Sequence, residues 1–354
     1  MGKHVDYRLN VATTIEKSDL LFRNALDEPF RVSGVFYEDG KFRRLPESVA
    51  KSVSDGVYAL HANTSGGRVS FITNSRYIAI EVKYAGVCRM PHFSLCGSAG
   101  LDLYISEVGA APRFFGCFVP PYEMEDYYES RHDLGSNDMR EITIGMPLYS
   151  DVAELMIGVE SGAELLGPTP YRGKAPIVYY GNSITQGACA SRPGNAFAAE
   201  ASRAVGYDFV NLGFSGRGRA EVEIAEYIAS LDMSVYVSDY DHNAPNAEYL
   251  ENTHERMFKT IREKNPTLPI VLMTMTSMDR TVRGERGRRR DIIYKTYRNA
   301  IEAGDQNVYF IDGSKIFDEC GDGATVEGCH PNDLGQAYIA KALIPVLKEI
   351  VEKL

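Results

Sequence analysis

The chain has 354 residues, a length that suggests two domains of ordinary size, with one large domain as the alternative. A hydrophobic content of 44% is normal for a globular core, and a net charge of −10 opposes nonspecific binding to nucleic acid or anionic membranes. The sequence has no run of about 20 apolar residues and no apolar signal-peptide core at its N-terminus. We therefore expect a cytoplasmic protein without nucleic-acid or membrane partners.

The first half of the chain has the rhythm of a β-sheet domain. Short stretches in which apolar and polar residues alternate recur from Phe30 to Ile157, separated by Gly and Pro clusters. This pattern predicts an antiparallel sandwich or jelly roll. The predicted strands include Val57–Leu60, Val69–Ile72, Tyr77–Val82, Leu101–Ile105 and Glu141–Ile144.

The second half instead alternates strands with helices. Residues 161–176 contain three Gly and three Pro without a clear period, so we place the domain boundary there. This gives a β-sandwich over residues 1–165 and an α/β domain over residues 166–354. Five strand–helix units with short connections predict a parallel sheet covered by helices on both faces. The predicted strands are Ile177–Tyr180, Phe209–Leu212, Val235–Ser238, Ile270–Met275 and Val308–Ile311, and the predicted helices are Ala196–Val205, Ala220–Leu231, Glu248–Lys264, Asp291–Ala303 and Leu334–Lys353.

The segment YYGNSITQG, residues 179–187, places a serine directly after the first of these strands. Reactive groups of α/β proteins lie at the carboxyl ends of the strands, which makes Ser183 a candidate nucleophile. A hydroxyl needs a base, and His330 follows the fifth strand in a loop that should reach the same edge. Glu327, three residues earlier, is placed to accept a hydrogen bond from the imidazole and stabilise its cation.

Donors for a developing oxyanion are also present in this half. Gly213 follows the second strand, where the missing side chain would let its N–H approach a ligand. Asn243 follows the third strand and offers a side-chain amide, with Asp241 as the rival for a polar role in that loop. We expect the oxyanion hole to be formed by the N–H groups of Ser183 and Gly213 and by the amide of Asn243.

These blocks together resemble the SGNH hydrolases, also called the GDSL family. GNSITQG, residues 181–187, is similar to the first block of the family, and Gly213, Asn243 and Glu327–His330 are similar to the later blocks. Gly100–Tyr104 resembles the GxDLY signature of a β-sandwich that precedes the hydrolase in one branch. The resemblance implies a flavodoxin-like, three-layer α/β/α domain and an esterase, often one that removes acetyl groups from carbohydrates.

The sequence departs from this family at two places. Glu327 stands where the family usually has Asp, and the asparagine block reads Asp-His-Asn-Ala instead of Gly-x-Asn-Asp. We nevertheless expect a serine esterase that hydrolyses short-chain acetyl esters on small molecules or oligosaccharides, without cofactor or metal. The alternatives are a catalytically inactive carbohydrate-binding protein and a lipase or acylhydrolase for longer acyl chains. A homo-oligomer is left open.

Two further features have no clear assignment from sequence. The six cysteines form no CxxC pair, so a zinc cluster is not predicted from their spacing and free thiols are expected. The basic run Arg280–Arg290 follows the fourth strand, and is either a loop that binds an acidic or hydroxyl-rich substrate or a solvated surface loop.

Overall fold

The N-terminal half is a sandwich of antiparallel strands. The computed structural model describes residues 11–276 and 284–354. Two sheets, ordered β1-β11-β6-β9 and β12-β5-β10-β7-β8 with β2 on β5, enclose one apolar core that includes Phe71, Ile80, Ile142 and Ile157. The predicted sandwich is thus confirmed. Its elements are β1 Leu20–Asn24, β2 Arg31–Ser33, β3 Phe36–Glu38, β4 Lys41–Arg43, α1 Glu47–Val53, α2 Asp55–Leu60, β5 Arg68–Thr73, β6 Tyr77–Gly86, α3 Leu95–Ser98, β7 Leu101–Ser106, β8 Arg113–Phe118, β9 Tyr127–Asp133, β10 Arg140–Gly145, β11 Asp151–Glu160 and β12 Leu165–Leu166.

One predicted strand of this half is wrong. Residues 57–60 lie in helix α2, because Ser54 caps the helix by accepting a hydrogen bond from the Val57 N–H at 3.2 Å. Within α2 only Val57 is fully buried, which is the exposure of a surface helix. The short apolar stretch could not distinguish the two structures by periodicity alone.

The C-terminal half is a five-stranded parallel sheet between two layers of helices. Strand order is β14-β13-β15-β16-β17. The first strand of this half, β13, thus lies inside the sheet, with β14 on one side and the later strands on the other. Helices α5 and α9 pack on one face, and α6, α7 and α8 pack on the other. The predicted α/β/α architecture is confirmed. Its elements are β13 Ile177–Gly181, α4 Ser183–Gln186, α5 Phe197–Val205, β14 Phe209–Gly213, α6 Val222–Ala229, β15 Val235–Asp239, α7 Ala247–Lys264, β16 Ile270–Met273, α8 Arg286–Glu302, β17 Val308–Ile311 and α9 Asp333–Val351.

The register of the central strands fixes the functional edge of this sheet. Gly181 of β13 pairs with Gly213 of β14 on one side and with Asp239 of β15 on the other. Three strands therefore end at the same level, and the loops after them meet. No helix within the described residues has the length and apolar character to cross a bilayer.

Helix α8 begins five residues before its predicted start and contains the end of the basic run. Arg280–Arg283 lie outside the described residues. Arg289 is buried in the first turns of α8, where its Nη1 donates to the carbonyl oxygens of Asp241 at 2.5 Å and Ala244 at 2.9 Å. This arginine therefore anchors the loop after β15 from inside the protein.

One buried arginine makes several of the contacts between the two halves. Arg44, only 2% exposed, donates to the carbonyls of Asn63 and Leu60 in its own half and to those of Asn211 and Gly213 across the junction. Burial lowers the pKa of its guanidinium to about 10. Helix α1 also packs against α6. The division into domains at residues 165 and 166 stays a prediction.

We expect Arg44→Met to lower the free energy of unfolding by about 3–5 kcal/mol, because four buried carbonyls would lose their donor. Arg23→Met, at an exposed position of the sandwich, is the matched control and should change stability by less than about 0.5 kcal/mol. Urea denaturation followed by circular dichroism measures both. Equal losses of stability in the two variants would show that Arg44 does not hold the two halves together.

Candidate active site

Ser183 is presented by a tight turn at the end of β13. A side chain at Gly181 would collide with Thr185 and with the carbonyl of Asp239, so only glycine fits there. Asn182 then caps the short helix α4, in which Ser183 is the first residue. Only 9% of the serine is exposed.

The side chain of Asn182 fixes this turn from both ends. Its Oδ1 accepts hydrogen bonds from the N–H groups of Ile184 at 2.7 Å and Thr185 at 3.3 Å. Its Nδ2 donates to the carbonyl of Asp239 at 2.8 Å, which ties α4 to strand β15. The cap does not engage the N–H of Ser183, which is thus left to bind a ligand.

His330 lies in a loop closed on itself before helix α9. The Val326 N–H donates to the His330 carbonyl at 2.9 Å, and Thr325 and Pro331 form an isolated bridge. Glu327 accepts from the backbone N–H of His330 with Oε1 at 3.1 Å and contacts the ring Nδ1 with the same atom at 2.5 Å. The carboxylate therefore fixes both the ring and the backbone of the histidine.

The structure brings the serine and the histidine together. Ser183 Oγ lies 2.9 Å from His330 Nε2, although the two residues are 147 positions apart in the chain. With Nδ1 donating to Glu327, the lone pair of Nε2 faces the hydroxyl and can accept its proton. The carboxylate would stabilise the imidazolium that forms. The arrangement can thus carry out nucleophilic attack by serine with base assistance.

Gly213 does not occupy the role expected for it. Its N–H donates to the Asn211 side chain at 2.9 Å, and its Cα packs against the backbone of helix α4. The N–H is therefore engaged inside the protein and is not available to an oxyanion. The prediction fails because a neighbouring polar side chain takes the donor, which strand position alone does not show.

Gly216, three residues further on, is the better candidate donor in this loop. Its φ is +70°, and no atom lies within 4 Å of the place where a Cβ would stand, so its backbone faces open space. The N–H of the preceding Ser215 donates to Gln186 Oε1 at 3.0 Å, which ties this loop to helix α4. In the sequence, the second glycine of NLGFSG, residues 211–216, was the feature that could have pointed to Gly216.

Asn243 lies in a short 3-10 turn, Asp241–Asn243, after β15. Its Nδ2 donates to the carbonyl of Phe214 at 3.0 Å, which holds the amide against the loop that carries Gly216. A primary amide has a second N–H, so this contact leaves one donor for a ligand. Asn243 thus borders the same loop cluster as Ser183, with half of its donor capacity used for structure.

Two carboxylates beneath this cluster have structural roles. Asp239 accepts from Thr185 Oγ1 at 3.1 Å, and burial followed by the charge of Asp241 raises the pKa of its carboxyl well above the usual range. Asp241 accepts from the Met275 N–H at 2.8 Å, and burial raises its pKa to about 7. Both acids connect strand ends, and Asp241 does not replace Asn243 as a donor.

The N-terminal half contributes directly to the site. The hydroxyl of Tyr149, in the connection between β10 and β11, donates to the Ser183 carbonyl at 3.1 Å. His92, between β6 and α3, places its ring centroid 5.5 Å from that of His330 at an interplanar angle of 43°. Neither residue belongs to a recognisable motif, so only the folded chain reveals them.

The larger of the described cavities lies elsewhere, between the two halves. It has a volume of about 490 Å³ and is lined by Arg31, Asp102, Glu141, Tyr171 and Arg203 among others. Ser183 and His330 are not among its lining residues. We place the reactive site on the hydrogen-bonded serine and histidine, because cavity size carries no chemistry of its own.

The GDSL-like Lipase/Acylhydrolase family matches residues 174–348, and the GxDLY family, the N-terminus of an SGNH-hydrolase-type esterase, matches residues 20–165. The comparison with curated proteins gives no significant match.

Solved structures resemble the chain over nearly its whole length. A protein from Bacteroides ovatus described as a GDSL-like lipase is 29% identical with a TM-score of 0.84, covering 94% of this chain and 98% of its own. The salicylyl-acyltransferase SsfX3 from a tetracycline biosynthetic pathway is 22% identical with a TM-score of 0.77, covering 95% and 98%. A family two carbohydrate esterase from Cellvibrio japonicus is 13% identical with a TM-score of 0.60, covering 94% and 98%. The last two similarities concern the fold alone.

We expect Asn182→Ala to lower the free energy of unfolding by about 2–4 kcal/mol, because a helix cap is lost and the buried Asp239 carbonyl loses the closer of its two side-chain donors. Asn246→Ala is the matched control, since Asn246 caps α7 at an exposed position and its loss should cost about 1 kcal/mol. Chemical denaturation measures both. A larger loss in Asn246→Ala would show that Asn182 does not hold the turn.

Proposed function

The chain belongs to the GDSL-like lipase/acylhydrolase family of carboxylic ester hydrolases. We propose that it is a serine esterase that removes short acyl groups, above all acetyl groups, from carbohydrates. One observation carries the proposal. Ser183 Oγ, His330 Nε2, His330 Nδ1 and Glu327 Oε1 form a continuous hydrogen-bonded relay, with separations of 2.9 and 2.5 Å. Such a relay is what a hydroxyl requires to act as a nucleophile.

The proposed reaction has two halves. His330 takes the proton of Ser183 as the oxygen attacks the ester carbonyl, and Glu327 stabilises the imidazolium. The N–H groups of Ser183 and Gly216 and the second amide N–H of Asn243 stabilise the oxyanion. His330 then protonates the departing alcohol, leaving an acyl group on Ser183. Water, deprotonated by His330, attacks this acyl-enzyme and releases the carboxylic acid and the free serine.

The acyl part of the proposal, an acetyl group, is supported by analogy with an acetyl xylan esterase among the structures of similar fold. The carbohydrate part of the proposal has support by analogy only, from carbohydrate esterases of similar fold that include an acetyl xylan esterase from Butyrivibrio proteoclasticus.

The compartment and partners are proposed on chemical grounds. The part of the chain that the structure describes contains no disulfide bond, which supports the proposal of a reducing, cytoplasmic setting. The net charge of −10 supports the proposal that nucleic acid and anionic membranes are not partners. The ester substrate is the one partner that the proposed reaction requires.

We expect Ser183→Ala and His330→Ala each to reduce kcat for 4-nitrophenyl acetate by at least about 10⁴-fold, since each removes a member of one unit. Glu327→Gln should cost about 10²–10⁴-fold, because the amide cannot stabilise the imidazolium. Ser52→Ala, on the surface of α1, is the control and should retain wild-type turnover.

Labelling by a fluorophosphonate probe complements the kinetics. The wild type should acquire one label that peptide mapping places on Ser183, and Ser183→Ala should acquire none. Wild-type turnover in Ser183→Ala or His330→Ala would end the proposal. Absence of both labelling and turnover in the wild type would instead indicate a catalytically inactive binding protein.

We expect kcat/KM for 4-nitrophenyl acetate to exceed that for the octanoate ester by at least about tenfold, because the proposed substrate carries an acetyl group. Acetylated xylo-oligosaccharides should release acetate, followed by NMR to identify the position that is cleaved. Ser183→Ala corrects for spontaneous loss of acetate. A preference for the octanoate ester would assign the enzyme to longer acyl chains.

A further inference from the structure

A cluster of three side chains contains the proposed base and two residues that the proposed reaction does not use. His92, Cys189 and His330 each offer one ligand atom, and these atoms lie within 4.8 Å of one another. They come from three distant segments, the loop between β6 and α3, the loop after α4 and the loop before α9. The cluster therefore exists only in the folded chain, which is why the cysteine spacing did not predict it.

The position of Cys189 depends on an unusual backbone conformation. Its φ is +63°, in the left-handed region that residues other than glycine rarely adopt, and the residue is 7% exposed. It belongs to the apolar cluster formed with Phe93, Leu148 and Ala190, which holds the thiol in place. The folded chain thus maintains a costly conformation that keeps a sulfur close to two imidazoles.

We propose that His92, Cys189 and His330 form a binding site for a divalent cation of borderline softness, Zn²⁺ first, and that its occupancy switches off the esterase. Two imidazole nitrogens and one thiolate are a donor set that zinc prefers, with the fourth tetrahedral position left for water. The hard cations Mg²⁺ and Ca²⁺ prefer oxygen ligands and are not expected to bind here.

Inhibition follows from the atom that the cation would take. Glu327 already holds Nδ1 of His330, so Nε2 is the nitrogen available to the metal. This is the atom that lies 2.9 Å from Ser183 Oγ. A cation bound to its lone pair would prevent it from accepting the serine proton. Only this effect on turnover rests on the proposed function; binding of the metal does not.

A second cluster on the same loop is the rival site. Glu327, Cys329 and His330 also place one ligand atom each within 4.8 Å of one another. There the carboxylate is already engaged by both the backbone N–H and the ring of His330. The cluster with His92 leaves that contact intact, and this is the reason we favour it.

The bound state should be reversible. The site has three protein ligands, one fewer than a closed structural zinc site, and its thiol must release a proton when the cation binds. A chelator should restore turnover, as expected of a regulatory or inhibitory site rather than a structural one.

The test measures binding of Zn²⁺ and Co²⁺ to the full chain, by calorimetry and by absorption. We expect one equivalent to bind, with a cobalt spectrum that contains a thiolate charge-transfer band. Cys189→Ser and His92→Phe should each weaken binding by about 10–100-fold, whereas Cys96→Ser and Cys329→Ser should bind as the wild type does. Ser183→Ala should still bind, which separates this site from the proposed reaction.

Turnover of 4-nitrophenyl acetate gives the second readout. Zinc should inhibit the wild type until EDTA is added, and the half-inhibiting concentration should rise about 10–100-fold in His92→Phe. Binding that depends on Cys329 but not on Cys189, or a wild-type cobalt spectrum without the sulfur band, would overturn the site even if a variant failed to fold. Zinc binding by a wild type that turns over no ester would instead refute the proposed function and leave the site standing.

Discussion

The placement of the proposed nucleophile, the Ser183 hydroxyl, depends on one buried amide, that of Asn182. It is fully buried, caps helix α4 with its oxygen and binds the end of strand β15 with its nitrogen. Ser183 has no freedom to move away from the sheet edge because its neighbours on both sides are held by this single side chain. The parallel register then brings the loops after β14 and β15 to the same level. The position of Ser183 relative to these loops therefore depends on Asn182.

The same helix is held from the other half of the chain. Gln186 Nε2 donates to Asn63 Oδ1 at 2.9 Å, and the Ser65 hydroxyl donates to the Gln186 carbonyl at 2.6 Å. Arg44 joins these segments to strand β14 through carbonyl oxygens. The N-terminal half therefore holds helix α4, and with it the proposed nucleophile Ser183, through direct hydrogen bonds.

Sequence reasoning succeeded where the information was local or set by strand order. The sandwich, the parallel sheet and the placement of Ser183 and His330 after two strands all follow from periodicity and from the common edge of a parallel sheet. It failed where a single contact decided the outcome. Ser54 turns Val57–Leu60 into a helix, and the Asn211 side chain takes the N–H of Gly213. His92 and Tyr149 were beyond its reach, because only tertiary packing brings them beside His330 and Ser183.

Glu327 and His330, the proposed acid and base, come from one segment of four residues. Glu327 and His330 keep their mutual geometry through short-range contacts within their own loop. Their geometry relative to the serine, by contrast, is a product of the whole fold. Partial loosening of the protein would therefore leave the hydrogen bond between Glu327 and His330 intact while separating His330 from Ser183. The contact between His330 and Ser183 should therefore be lost before the contact between His330 and Glu327 when the protein loosens.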